Sequence, residues 1–401
     1  MSASKAVPAG LTIILGVLTA VGPFSLDAYL PSFPTIAEEL SASPQQVQLS
    51  LTTCLIGLAL GQLFVGPWGD RVGRRAPLLI GSIGYLFASL ACAFAGSIEI
   101  FIVLRFIQGF AGAAGLVMAR AVVRDLASGR AAITLYSRLA VVSGLAPVVA
   151  PVLGAFALAF VSWRGVFVGL AVLGAILTLL VAALLPETHH KESRTSGSVI
   201  ETFRAFGHLL RDKAFAGYVV VGGLAAVILF GYISSSSFVL QTVYGATAGQ
   251  FAAAFAVNGL GLAAMGQVNG RLAHRFGAPF MLRLGILIQA AGTFALAAFV
   301  LFGPSGEAAL LPTAALLFFA VAPLGFILPN AMAIGMGQSG KSSGTASAIL
   351  GVTTFLFGAL VSPISGAGDP AVVMVIVMAV ASVASVALVY VLKYRVTLLE
   401  D

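Results

Sequence analysis

The chain has 401 residues, 59% of them hydrophobic and only 9% charged, with a mean hydropathy of +1.06. A soluble domain carries roughly 25% charged residues, so a water-soluble enzyme or a nucleic-acid-binding domain is excluded. The net charge of +7 must have another origin.

Crossing the hydrocarbon takes about 20 apolar residues per helix. Twelve apolar runs are long enough, at 8–31, 46–66, 77–96, 99–121, 132–157, 164–185, 214–238, 249–270, 279–302, 311–336, 344–366 and 371–392. They predict an all-α membrane protein of twelve transmembrane helices in two six-helix bundles. With the N-terminus inside, 19 of the 21 Lys and Arg fall on or beside the cytoplasmic face. That asymmetry places both termini in the cytoplasm and accounts for the basic balance, with anionic lipid as a secondary contact. No signal peptide is evident, since the first run lacks a small-residue cleavage site and carries Asp27. Cys54 and Cys92 both fall in spans and read as small apolar fillers.

In chain order, the first informative residue is Asp27, near the outer end of the first run in Leu26-Asp27-Ala28-Tyr29-Leu30-Pro31. A carboxylate at membrane depth costs ~2.5–3.5 kcal/mol on insertion scales and is a functional hypothesis by default. A carboxyl that must choose between charged and neutral forms in a dry place is a natural proton carrier. Between the second and third runs lies Gly66-Pro67-Trp68-Gly69-Asp70-Arg71-Val72-Gly73, and Gly270-Arg271-Leu272-Ala273-His274-Arg275-Phe276-Gly277 lies between the eighth and ninth. The first Gly, the Arg and the last Gly coincide at an offset of 204, so the halves read as a duplication. Arg105 sits about six residues, or roughly 9 Å, into the inward-running fourth span, at a depth similar to Asp27. A buried cation near the acid favours its charged form and desolvation the neutral one, so moving either helix would swing the proton affinity.

The fourth span aligns Arg105, Gln108, Gly112, Gly115 and Ala119, the fifth Gly144, Pro147, Pro151 and Gly154, and the eleventh Gly344, Ser347, Gly351 and Gly358. Small residues at this spacing allow close helix approach in lipid, and prolines mark kinks. The hydrophilic stretch Pro186–Lys213 divides the chain into residues 1–187, a linker at 188–213 and residues 214–401. Within it, Ile200, Phe203, Phe206 and Leu210 fall at helical spacing, as in a helix lying on the inner membrane surface.

Gly66-x-x-x-Asp70-Arg71-x-Gly73-Arg74-Arg75 resembles the loop signature of the major facilitator superfamily. Leu26-Asp27-Ala28-Tyr29-Leu30-Pro31 with Pro34 is similar to the first-helix signature of its bicyclomycin-resistance (Bcr/CflA) branch of drug–proton antiporters. Gly61-Gln62-Leu63, Arg124-Asp125, Ala146-Pro147 through Pro151-x-x-Gly154, and Gly344-Thr345-Ala346-Ser347 extend the resemblance over essentially the whole chain. It implies the major facilitator fold and an alternating-access antiporter that exports amphiphilic antibiotics, bicyclomycin- or chloramphenicol-like, as protons enter. It further implies a multi-pass monomer of the bacterial cytoplasmic (inner) membrane, with the proton as coupling ion and no other cofactor. A proton-coupled carrier of a small metabolite or amino-acid-like solute is the alternative reading.

The resemblance implies that Arg105, with Gln108 and Gly109, takes part in proton transfer alongside Asp27. Thr19 stands where some related exporters carry a second acid in the first helix, leaving one obvious titrating group. Gly66, Asp70, Arg71, Gly73, Arg74, Arg124 and Asp125, with Gly144, Pro147, Pro151 and Gly154, are the expected gating set. In it, Asp70 meets the start of the eleventh helix near Ser342–Thr345, and Arg71 or Arg74 pairs with Asp125 to lock the halves. Substrate contacts are expected from Tyr29, Gln108, Gly112, Phe230, Tyr232, Phe255, Asn258 and Asn330, whose mostly apolar character suits an amphiphilic ligand. The four histidines all fall on the cytoplasmic side and form no metal-ligand cluster, so no enzyme chemistry is expected.

Overall fold

A computed structural model describes residues 9–127, 129–189, 191–194, 204, 206–304, 306–338, 343–361, 364 and 368–397. It is nearly all helix. The first half holds α1 (Ala9–Asp27), α2 (Phe33–Glu39), α3 (Pro44–Val72), α4 (Arg75–Ala93), α5 (Ile98–Leu126), α6 (Gly129–Leu158) and α7 (Trp163–Leu184). The second half holds α8 (Lys213–Ser237), α9 (Ala248–Phe276), α10 (Ala278–Phe302), α11 (Leu310–Val321), α12 (Leu324–Gln338), α13 (Ser343–Val361) and α14 (Pro370–Thr397). Among the described residues, eleven helical stretches are long and apolar enough to cross a membrane, and Ala346–Val361 is a shorter twelfth. Phe87, Val103, Phe156, Leu179, Leu360 and Val380 are exposed. Such a surface would be a liability in water but suits hydrocarbon.

Among the described residues, three spans depart from a plain helix. The first stops at Asp27, passes through a 3-10 turn at Leu30–Ser32, and resumes as α2 with Pro34 near its start. The tenth breaks between α11 and α12 at Ala322–Pro323, where proline has no N–H to continue the ladder. The seventh runs on from α8 as a π-helix over Phe238–Val243.

The chain divides into two compact units. Unit one comprises Met1–Ala42 and Thr53–Glu201. In it α4 packs on α5 and α7, and α1 on α5 and α6. Its heart is the aromatic cluster of Tyr29, Phe33, Phe101, Trp163 and Phe167, in edge-on pairs with centroids 5.0–6.2 Å apart. Unit two comprises Ser43–Thr52 and Thr202–Asp401. There α8 packs on α12, α13 and α14, and α10 on α11, α12 and α14. The first turns of α3 group with this unit, and Gln48 Nε2 donates to the Ser234 carbonyl at 3.1 Å.

The two copies of the repeat share local geometry. Gly73 joins α3 to α4 at φ +105°, and Gly277 joins α9 to α10 at φ +80°. Both lie in the left-handed region that favours glycine. The last glycine of each copy thus shares a positive φ.

Of the expected surface helix over 199–210, residues 199–203 and 205 lie outside the described set. Its described end turns Phe206 and Leu209 onto the core of Phe215, Val219, Ala346, Ile349 and Leu350, while Leu210 is exposed.

Candidate functional site

Because α1 ends at Asp27, its last carbonyls lack helical partners. Arg105, projecting from α5 and fully buried, donates from Nη2 to one of them, Ser25 O, at 2.7 Å. The negative end of the α1 dipole suits that cation. Arg105 Nη1 donates to Gln108 Oε1, and the guanidinium lies 4.4 Å from the Tyr29 ring centroid and 5.6 Å from that of Phe167. Its Nε has no hydrogen-bond partner.

Asp27 is also buried, at 3% exposure, and its Oδ1 has no hydrogen-bond partner. No ion pair within 4.0 Å joins it to Arg105 among the described residues. One bundle thus holds an unpaired acceptor on the acid and an unpaired donor on the base. Leaving either group unsatisfied costs about 1–3 kcal/mol or more, a cost that functional sites often carry. Thr19 Oγ1 donates to Gly16 O at 2.7 Å and is a bonded helix residue.

Gln108 passes the contact on, its Nε2 donating to Ser89 Oγ at 2.7 Å. Ser25 Oγ donates to Val21 O at 2.6 Å and lies 2.8 Å from Tyr85 Oη. Ser25, Tyr85 and Ser89 were not among the expected site residues, because hydroxyls in apolar spans are common and only the fold reveals which ones converge. Gly112 borders a cavity with room for about one water, lined also by Val21, Tyr85, Gly115 and Gly174.

Of the fifth-span residues, Gly154 lies against the turn after α1, where an added Cβ would overlap the Ala28 carbonyl oxygen. Gly144 has nothing within 4 Å of such a Cβ. Pro147 and Pro151 both lie inside α6, where each leaves a carbonyl four residues earlier without its usual donor.

A second constellation gathers at the α3–α4 junction. Arg74, 1% exposed, donates from Nη1 to Asp70 Oδ1 at 2.6 Å and from Nε to Asp125 Oδ2 at 2.9 Å. Arg124 approaches Asp70 at 3.6 Å. All four belong to unit one, so Arg74 fastens the junction to the end of α5. Burial works against the Arg74 charge, but the Asp125 and Asp70 carboxylates outweigh it and hold its proton more firmly than in an ordinary arginine. Arg71 is exposed and makes no ion pair among the described residues. Gly66 has room around it. The expected contact of Asp70 with Ser342–Thr345 lies outside the described side chains.

The start of the linker is bonded to this junction. Glu187 Oε1 accepts from the Arg74 and His189 N–H groups at 2.8 and 3.0 Å, and Oε2 from Arg75 N–H at 3.2 Å. Partial burial would raise the Glu187 carboxyl, but the Arg74, His189 and Arg75 amides and the Arg194 cation outweigh it and hold it below its usual range. Gly73 makes this possible, since a Cβ there would strike the Glu187 carboxylate. Thr188 Oγ1 donates to Asp125 Oδ2 at 3.3 Å.

Of the expected substrate contacts, Tyr29 and Gln108 lie inside unit one with Arg105. In unit two, Tyr232 stacks on Phe255 at 5.3 Å and its hydroxyl accepts from Asn258 Nδ2 at 2.9 Å. Asn258 Oδ1 has no partner. Phe230 packs instead toward Phe355 and Gly358, and Asn330 donates to Asn269 Oδ1 at 2.6 Å and to the Phe326 carbonyl.

Comparison with known proteins adds four findings. The family model for the Major Facilitator Superfamily matches residues 15–363. An uncharacterized MFS-type transporter, YdgK of Bacillus subtilis, is 38% identical over 90% of this chain and 89% of its own. The bicyclomycin resistance protein homolog of Haemophilus influenzae is 34% identical over 87% of this chain and 86% of its own. Among solved structures, the xylose transporter XylE from E. coli aligns with a TM-score of 0.73 at 14% identity, over 95% of this chain and 96% of that one.

Proposed function

The chain belongs to the major facilitator superfamily, and from that membership and the site geometry we propose that it is a proton-coupled drug exporter. In this reading it moves amphiphilic antibiotics, bicyclomycin- or chloramphenicol-like, out across the cytoplasmic membrane by alternating access, with both termini in the cytoplasm. The resistance names of its relatives support the substrate class, among them the bicyclomycin resistance protein homolog.

The observation that carries the coupling is the buried Asp27 with an unpartnered Oδ1, set beside a buried Arg105 whose Nε is also unpartnered. Dry surroundings and the negative end of α1 oppose charge on the carboxyl, whereas Arg105 favours it. Small displacements of α1 against α5 change that balance. A substrate that disturbs the Asp27 surroundings would therefore release or take up the proton, and proton entry would in turn release the substrate.

The test is an efflux-deficient bacterial strain expressing the chain, challenged with neutral and cationic amphiphilic antibiotics. Resistance raised several-fold and abolished by an uncoupler supports the reading. Unchanged resistance across the panel, with uptake of a metabolite instead, would replace it.

A further inference from the structure

Five buried residues on three helices form one hydrogen-bonded assembly around the Arg105 guanidinium. The guanidinium is held by the Ser25 carbonyl and the Gln108 side chain, and the Tyr29 side chain is a third partner. Ser25 and Gln108 are themselves braced from α4. Gln108 Nε2 donates to Ser89 Oγ at 2.7 Å, and Ser89 in turn donates to the Tyr85 carbonyl at 2.7 Å. Ser25 Oγ spends its single hydrogen on Val21 O, so the Tyr85 hydroxyl, 2.8 Å away, is the donor in their contact. Tyr85 and Ser89 are 1% and 0% exposed.

We propose that Tyr85 and Ser89 are positioning residues of the coupling step: they brace Ser25 and Gln108, and so keep the guanidinium from pairing with Asp27. The proposal rests on the exporter reading. Neither residue carries charge or belongs to α1 or α5, so each acts through the groups that hold Arg105. The titratable groups that face the guanidinium are Asp27 on α1, Tyr29 in the turn after it, Cys54 on α3, and Tyr85 and Cys92 on α4. From α7 it meets the Phe167 ring, and among the described residues α6 presents it no charged group.

With a brace removed, the guanidinium gains freedom to share its unpartnered Nε with the Asp27 carboxyl, which favours the anion. The test is an infrared titration of the purified full-length protein without substrate, using Asp27→Asn to identify the Asp27 carboxyl band. Tyr85→Phe and Ser89→Ala are each expected to move the midpoint of that band down by about one pH unit, a tenfold change in proton affinity. Ser89→Thr, which keeps the hydroxyl, is expected to restore it. Tyr85→Phe retains the ring that lies against Gly112 and Gly174, so loss of fold does not stand in for loss of the brace. A midpoint that stays within 0.3 unit in both variants, or rises, overturns the proposal. Drug-evoked proton movement in wild-type vesicles is measured in parallel. Its absence would defeat the exporter reading, whatever the titration shows.

Discussion

Arg71 and Arg74 stand three positions apart at the α3–α4 junction, yet their surroundings differ completely. Arg74 is buried between Asp70 and Asp125, while Arg71 is exposed. Removing one partner of a buried pair costs about 3–5 kcal/mol. Asp70 is 38% exposed, and solvent screens its share. Arg74→Ala is therefore expected to cost roughly 3 kcal/mol and Arg71→Ala less than about 0.5 kcal/mol, read as thermal midpoints in detergent. Equal losses would contradict the assignment. Glu187 supplies a pH test at the same junction. Its folded carboxyl is held below the usual range, so its contribution is present above the ordinary carboxylate pKa of about 4.3 and is lost as pH falls through the lower folded value. Glu187→Gln should then be less stable than wild type at pH 7 by about 1 kcal/mol, with the gap closing below about pH 4. A gap constant from pH 7 to pH 3 would show that Glu187 acts by packing alone. The sequence singled out Asp70, Arg74 and Asp125 through their motif. It gave no sign of Glu187, whose role depends on the chain doubling back after α7.

At the scale of the helix, the decisive event is the end of α1 at Asp27. The turn that follows lets α6 come so close that only a glycine fits at position 154, against the Ala28 carbonyl. Ala28 is the neighbour of Asp27, so a side chain at 154 is expected to displace the proposed proton carrier. Gly154→Ala is expected to lower drug transport at least tenfold, whereas Gly144→Ala, in open space, should stay within about twofold. Transport assays in vesicles at matched protein content decide this, and equal effects would mean that the fifth-span stripe acts as a whole. Hydropathy located the spans but not their interruptions. The break at Pro323 was visible as a residue, yet proline within a span need not end a helix. The π-helix after Ser234–Ser237, four serines that are all fully buried, left no periodic signature, because it adds a single residue per turn.

For the molecule as a whole, the two loops that match at three positions each end on a glycine of positive φ, Gly73 and Gly277. Their chemistry differs. His274 stands where the first copy has Asp70, and the acid–arginine site lies in unit one, while unit two holds the Tyr232, Phe255 and Asn258 cluster. In the proposed exporter, proton handling would lie in one unit and a buried amphipathic aromatic cluster in the other. Asn258 Oδ1 and Phe255 are then expected to matter for substrate affinity, with little effect on proton release. Asn258→Ala should weaken drug binding about tenfold with the pH profile unchanged, and a shifted profile would tie unit two to the proton site.

All of this depends on Asp27 carrying the proton that leaves when a drug binds. The direct measurement is proton release from the purified protein into weakly buffered detergent solution on addition of a neutral amphiphilic antibiotic. Wild type should release up to one proton per chain, with a bell-shaped dependence on pH, and Asp27→Asn should bind the drug and release none. Equal release from both proteins would contradict the account.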